Sequence, residues 1–235
     1  MDSQRVPLRT RLGQRFFAWL ARRMSQLEGW ARRTELRKGT RVDVHGLAVV
    51  MHEADPVHSR ACLDKVTAAL DVVAEYDPRS LEAMRSHFSA ILVWSWMVAA
   101  NGSYLHSERL CMLWCDYVED EDTEPARIAM TLIHELTHAK HARRARRGRP
   151  MDRAQAEWLC IGAELAFIRK VPETEHLRRA AAARLERRAD FYSPAATAER
   201  KLEHLEDTGG RRWAAFLRFL QRRRQRRQTA AGQGR

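Results

Sequence analysis

Cysteine is scarce in this chain, lysine is scarce beside arginine, and no apolar run is long enough to cross a membrane. Four cysteines (Cys62, Cys111, Cys115, Cys160) scattered over 235 residues cannot build the disulfide framework of a small secreted domain. No secretory pattern opens the chain either, so the expectation is a reducing, cytoplasmic setting. The longest apolar stretch, residues 88–100 (FSAILVWSWMVAA), falls short of the roughly 20 residues a spanning helix needs, and its β-branched and aromatic content suits a buried strand. With 45% hydrophobic and 31% charged residues, the composition is that of a globular protein with one sizeable core, and wholesale disorder is excluded.

Of the 42 basic residues only 5 are lysine, and the net charge is +12. Arginine clusters at residues 143–149, 178–188 and 211–227 suit phosphate pairing with nucleic acid or an anionic membrane surface. Solvated helix faces are the commoner use of such charge blocks.

Phe16, Phe17, Leu20, Met24, Leu27 and Trp30 recur at spacings of three and four and predict an amphipathic helix over residues 14–36. Residues 41–51 alternate and are β-branched, which predicts one strand, and residues 59–74 return to helical spacing through Leu63, Val66, Leu70 and Val73. Two apolar runs, residues 88–98 and 104–117, flank Asn101-Gly102, a dipeptide that tolerates positive φ, so an antiparallel hairpin turning at that dipeptide is expected. Pro125 suits the first turn of a helix running to the break at Gly148-Arg149-Pro150. Asp152 as N-cap, with Gln155 as its capping-box partner, opens a second helix that ends near Val171-Pro172. The remainder reads as mostly helical, closing on a tail, RRRQRRQTAAGQGR, too polar to pack.

Within the first of those two helices stands His134-Glu135-Leu136-Thr137-His138. Positions i and i+4 share one helix face, so two imidazoles can converge on one zinc ion while the intervening glutamate reaches a water that the ion activates. That combination hydrolyses amides, with Glu135 as general base. Ile128, Leu132 and Ile133 flank the motif with an apolar stripe, beside which an unliganded imidazole pair would be costly to bury.

A catalytic zinc usually takes three protein ligands, and the candidates for the third are Glu157, Glu164 and His141. His141 lies seven residues from His134 on one helix, an axial offset of about 10 Å, too far for both to meet one ion with His138 between, and it reads as a surface histidine. Glu157 and Glu164 stand two turns apart on one face of the second helix, among Trp158, Leu159, Ile161, Leu165 and Phe167. Eighteen residues intervene between His138 and Glu157. Here the sequence resembles the gluzincin metallopeptidases, in which H-E-x-x-H is followed at that spacing by a glutamate ligand. The resemblance covers residues 88–171 and implies Glu157 as the third ligand, with Glu164 as a supporting or alternative one. HELTHAKH followed by RAQAEWLCIGAELAFIRKVP also resembles small uncharacterised bacterial proteins with zincin-like signatures. In the gluzincin pattern a further Tyr or His steadies the oxyanion; Tyr192 and His204, after the glutamate helix, are candidates.

Cys111 and Cys115 have alternate-strand spacing and read as core thiols. Residues 101–104 read first as a plain turn; the alternative is a cleft edge that pairs its main chain with an extended peptide, as in the resembling enzymes. Trp213, Phe216, Leu217 and Leu220 form an apolar face on a basic helix. The expectation is therefore an α+β, zincin-like fold: a small, mostly antiparallel sheet, an active-site helix, a glutamate helix and a helical C-terminal region. Residues 1–38 form an N-terminal amphipathic helix, 39–210 the catalytic domain, and 211–235 a basic helix and disordered tail. The expected activity is zinc-dependent hydrolysis of a peptide or protein, with one zinc ion. The rival is an inactive zincin-like module that binds nucleic acid or an acidic partner through its arginine-rich surface, against which intact Glu135 argues.

Overall fold

The computed structural model describes residues 36–51, 56–94, 101–145 and 151–187, together with residues 29, 33 and 34. The expected helix over residues 14–36 lies almost wholly outside the described residues, as do the basic C-terminal helix and tail, Tyr192 and His204. The described chain is α+β. Strands β1 (Thr40–Val44) and β2 (Leu47–Met51) are followed by helices α1 (Pro56–Tyr76) and α2 (Pro78–His87), then β3 (Ala90–Trp94), β4 (Gly102–Leu105) and β5 (Leu110–Trp114). A short helix α3 (Cys115–Glu119) leads to α4 (Pro125–Ala145), α5 (Arg153–Ile168) and α6 (Glu175–Leu185).

The five strands form one sheet in the order β1-β2-β3-β5-β4. β1–β2 and β4–β5 pair antiparallel, whereas β2–β3 and β3–β5 pair parallel, so the sheet is mixed where a mostly antiparallel one was expected. The cause lies in β3 (AILVW) and β5 (LCMLW), whose every residue is buried. Strands apolar on both faces occupy the middle of a covered sheet, the place where parallel pairing is found. One face, with Val49, Ile91, Val93, Cys111 and Leu113, joins the main core with Val66 and Leu70 of α1 and with Ile128 and Leu132 of α4. The other face, with Val50, Leu92, Trp94, Met112 and Trp114, forms a second apolar cluster against which Leu36 packs.

Two further expectations are corrected, and one helix is added. Residues 41–51 are two strands, because His45 and Gly46 both adopt positive φ (53° and 75°), as the two central residues of a type I′ hairpin turn must. The second hairpin does not turn at Asn101-Gly102: Gly102 begins β4, whose partner is β5, and the connection falls at residues 106–109, where Arg109 takes φ 54°. Helix α2 was not anticipated; Pro78 stands in its first turn, where a missing N–H costs nothing. Asp152 does cap α5, accepting from the N–H groups of Ala154 and Gln155. Among the described residues no helix is long and apolar enough to cross a membrane. Helix α4 packs against α5, α1, α2 and the edge strand β4, and this junction positions the site.

Candidate metal centre

Helix α4 stacks His134 and His138 one turn apart, their ring centroids 4.8 Å apart and their Nε2 atoms 3.0 Å apart. From α5, the Glu157 carboxylate reaches both rings: Oε2 lies 3.4 Å from His134 Nε2, and Oε1 lies 3.7 Å from His138 Nε2. Glu164, two turns further along α5 and buried, approaches the opposite side of the first ring, with Oε1 2.5 Å from His134 Nδ1. The structure thus brings His134, His138 and Glu157 together and puts Glu164 behind His134 rather than beside the two Nε2 atoms. His141 is half-buried and does not join the group.

Two residues that sequence reasoning passed over complete the surroundings. Arg184 of α6 holds Glu164 through two N–H groups, Nη1 to Oε2 at 2.6 Å and Nη2 to Oε1 at 3.2 Å. It stands in an arginine-rich run in which no local pattern separates it from its neighbours, so only the packing of α6 on α5 reveals it. Cys160, buried and one turn after Glu157, places its sulfur within 4.8 Å of the ligand nitrogens of both histidines. Its i+3 spacing from Glu157 was the signal available.

The electrostatics follow from burial and mutual contact. Burial pushes His134 down, but hydrogen bonds to Glu157 and Glu164 outweigh it and hold the imidazole up at about 10. His138 is pushed down to about 4 by burial and by the charge on His134. Burial also acts to raise Glu157, yet its contact with His134 wins and keeps it below the ordinary carboxylate value. A proton on His134 therefore sits between two carboxylates.

The donor set suits zinc. Two imidazoles and a carboxylate are the protein ligands of a known class of catalytic zinc site, and ligand atoms tetrahedrally arranged about 2.0–2.2 Å from one ion stand roughly 3.3–3.5 Å apart. The two Nε2 atoms stand 3.0 Å apart, Glu157 Oε2 lies 3.4 Å from the first, and the other Glu157 oxygen lies 3.7 Å from the second.

Glu135 stands about 100° round the helix from His134, toward β4, and lines the same cleft as His134 and Glu157. It is 5% exposed, and burial pushes its carboxyl up to about 7, opposed in part by His134 and by a hydrogen bond from the Tyr104 main chain. A cleft of about 530 Å³ opens here, lined by Asn101, Gly102, Tyr117, His134, Glu135 and Glu157. Tyr117, buried enough that its phenol is pushed up to about 12, bonds Thr131 Oγ1 at 2.9 Å.

Gly102 is what lets β4 come so close to α4. A Cβ there would lie 2.8 Å from Thr131 Cγ2 and 3.2 Å from the Met112 carbonyl oxygen. Thr131 cannot easily turn away, since its hydroxyl donates to the Arg127 carbonyl and contacts Tyr117. Gly102→Ala is accordingly expected to destabilise the protein by about 1–3 kcal/mol, the usual cost of overpacking. Urea unfolding checks this, and an unchanged midpoint would show that β4 is free to move off the helix.

Compared with known protein families, curated proteins and solved structures, the chain matches none.

Proposed function

We propose that this chain is a zinc-dependent hydrolase of peptide or protein substrates, with His134, His138 and Glu157 holding one zinc ion and Glu135 serving as general base. The observation that carries the proposal is the convergence of two Nε2 atoms and one carboxylate within 3.0–3.7 Å, backed by Glu164 on His134 Nδ1. The α+β arrangement supports a gluzincin-like fold, since the motif helix lies between an edge strand and a glutamate-bearing helix.

When bound, zinc would supply Lewis-acid polarisation of a carbonyl and a lowered pKa for water. Glu164 accepts the Nδ1–H of His134, which leaves Nε2 as the donor facing His138 and Glu157. Arg184 in turn fixes the Glu164 carboxylate by its two N–H groups. Glu135 takes a proton from the attacking water at its carboxylate and releases it to the departing amine nitrogen. An extended peptide is the favoured substrate because β4 is the terminal strand of the sheet beside this cleft, and such an edge offers main-chain pairing.

Metal analysis tests the proposal. His134→Ala is expected to hold about one zinc ion per chain fewer than the wild type after both are equilibrated with zinc and desalted, since it loses a ligand of a three-ligand site. Equal zinc in the two proteins would overturn it.

A further inference from the structure

Away from the histidine pair, a second group of soft and anionic donors converges where α1 meets α3. Cys62 is fully buried on α1, and Cys115 and Glu119 stand one turn apart on α3. The two cysteines stand 53 positions apart in the chain, yet their sulfurs lie 3.6 Å apart. Glu119 Oε1 lies 3.0 Å from Cys115 Sγ and 3.6 Å from Cys62 Sγ. All three ligand atoms fall within one ion's reach of each other, and both cysteines are free thiols. The Lys65 ammonium, nearby on α1, donates to the main-chain carbonyls of Glu119 and Asp120 at 3.4 and 2.7 Å.

We propose that Cys62, Cys115 and Glu119 form a second metal site, for a thiophilic divalent cation of the zinc class, which ties α3 to α1. Sulfur and oxygen ligands at about 2.3 and 2.1 Å from one tetrahedral ion stand roughly 3.6–3.8 Å apart. Two of the three observed separations are 3.6 Å, and the third, a thiol–carboxylate hydrogen bond at 3.0 Å, lengthens when the bridging proton gives way to the ion. Two thiolates select zinc, cadmium or cobalt over magnesium and calcium, which prefer oxygen. The site's place in the chain gives it a purpose. α3 links strand β5 to the turn that starts α4, so a metal clamp there fixes the root of the helix that carries His134 and His138.

Cobalt(II) is the probe, titrated into the full chain kept reduced with a phosphine. The expected result is a thiolate-to-cobalt charge-transfer band in the near ultraviolet that persists in His134→Ala and in Cys160→Ser. The band is lost in Cys62→Ser and in Cys115→Ser, and Glu119→Gln requires at least the roughly 10- to 100-fold more cobalt that weakened metal sites show. Cys115 is only partly buried, so its variant tests the proposal even where Cys62→Ser fails to fold. No band in the reduced wild type, or a band that survives in Cys115→Ser, overturns the site. A band lost in Cys160→Ser or in His134→Ala overturns it too, by assigning the sulfur ligand to the histidine centre.

Discussion

Glu135→Gln is expected to keep its zinc and to lose peptide hydrolysis by about 10²- to 10⁴-fold, the usual contribution of a positioned general base. The separation follows from the two directions in which α4 points its side chains. His134 and His138 face α5 and Glu157, whereas Glu135, about 100° further round, lines the cleft beside β4. Glutamine is nearly isosteric, and its amide oxygen can still accept the Tyr104 main-chain hydrogen bond that the carboxylate receives. What it cannot do is take up a proton. Misfolding as the cause of lost activity is met by a second readout. Because burial raises the Glu135 carboxyl to about 7, the metal-free folded protein holds a proton that the unfolded chain releases, and its stability falls as pH rises from the ordinary glutamate value to about 7. Glutamine removes that loss, so the metal-free variant should be at least as stable as wild type at neutral pH. Cleavage of an unstructured peptide library by both proteins at equal rates would refute the role of Glu135, and zinc loss in the variant would make it a support of the site instead.

Local periodicity made the centre of this site legible. An i, i+4 histidine pair on a helix admits one geometry, and Asp152 as a cap sets where α5 starts and hence which face Glu157 presents. The sheet was harder to read, since register and direction of pairing are decided by which strands are covered on both faces. β3 and β5 are apolar at every position, a pattern that names a buried strand without naming its neighbour, and Asn101-Gly102 looked like a turn. In the structure Gly102 is needed for a close approach to Thr131 instead, a tertiary demand that leaves no local mark. Cys115 read as a strand residue with Cys111 for company. It begins a helix, and its neighbour is Cys62 on α1, while Cys111 alone stays in the core as expected. Arg184 belongs with these cases: one arginine of a run, distinguished only by the carboxylate it reaches.

Glu157→Ala and Glu164→Ala are expected to fail in opposite ways, and the contrast is the sharpest test of which carboxylate holds the ion. Glu157 faces both Nε2 atoms, at 3.4 and 3.7 Å, so its removal takes away one of three ligands. The loss of zinc affinity should exceed the roughly 10- to 100-fold typical of a partner outside the ligand shell. Stability of the metal-free protein should change less, since Glu157 is 23% exposed and water can replace its contacts. Glu164 is 4% exposed and joins His134 Nδ1 to the Arg184 guanidinium. Alanine there leaves a buried imidazole N–H and one side of a guanidinium without a partner, at a cost of about 1–3 kcal/mol, toward the lower end because Arg184 is itself 38% exposed and can turn to water. Its effect on zinc should stay within the outer-shell range, because both Nε2 atoms and Glu157 remain. Zinc titration against a competing chelator and urea unfolding of the metal-free proteins measure the two effects separately. If Glu164→Ala loses more affinity for zinc than Glu157→Ala, Glu157 is not the third ligand and that role passes to Glu164.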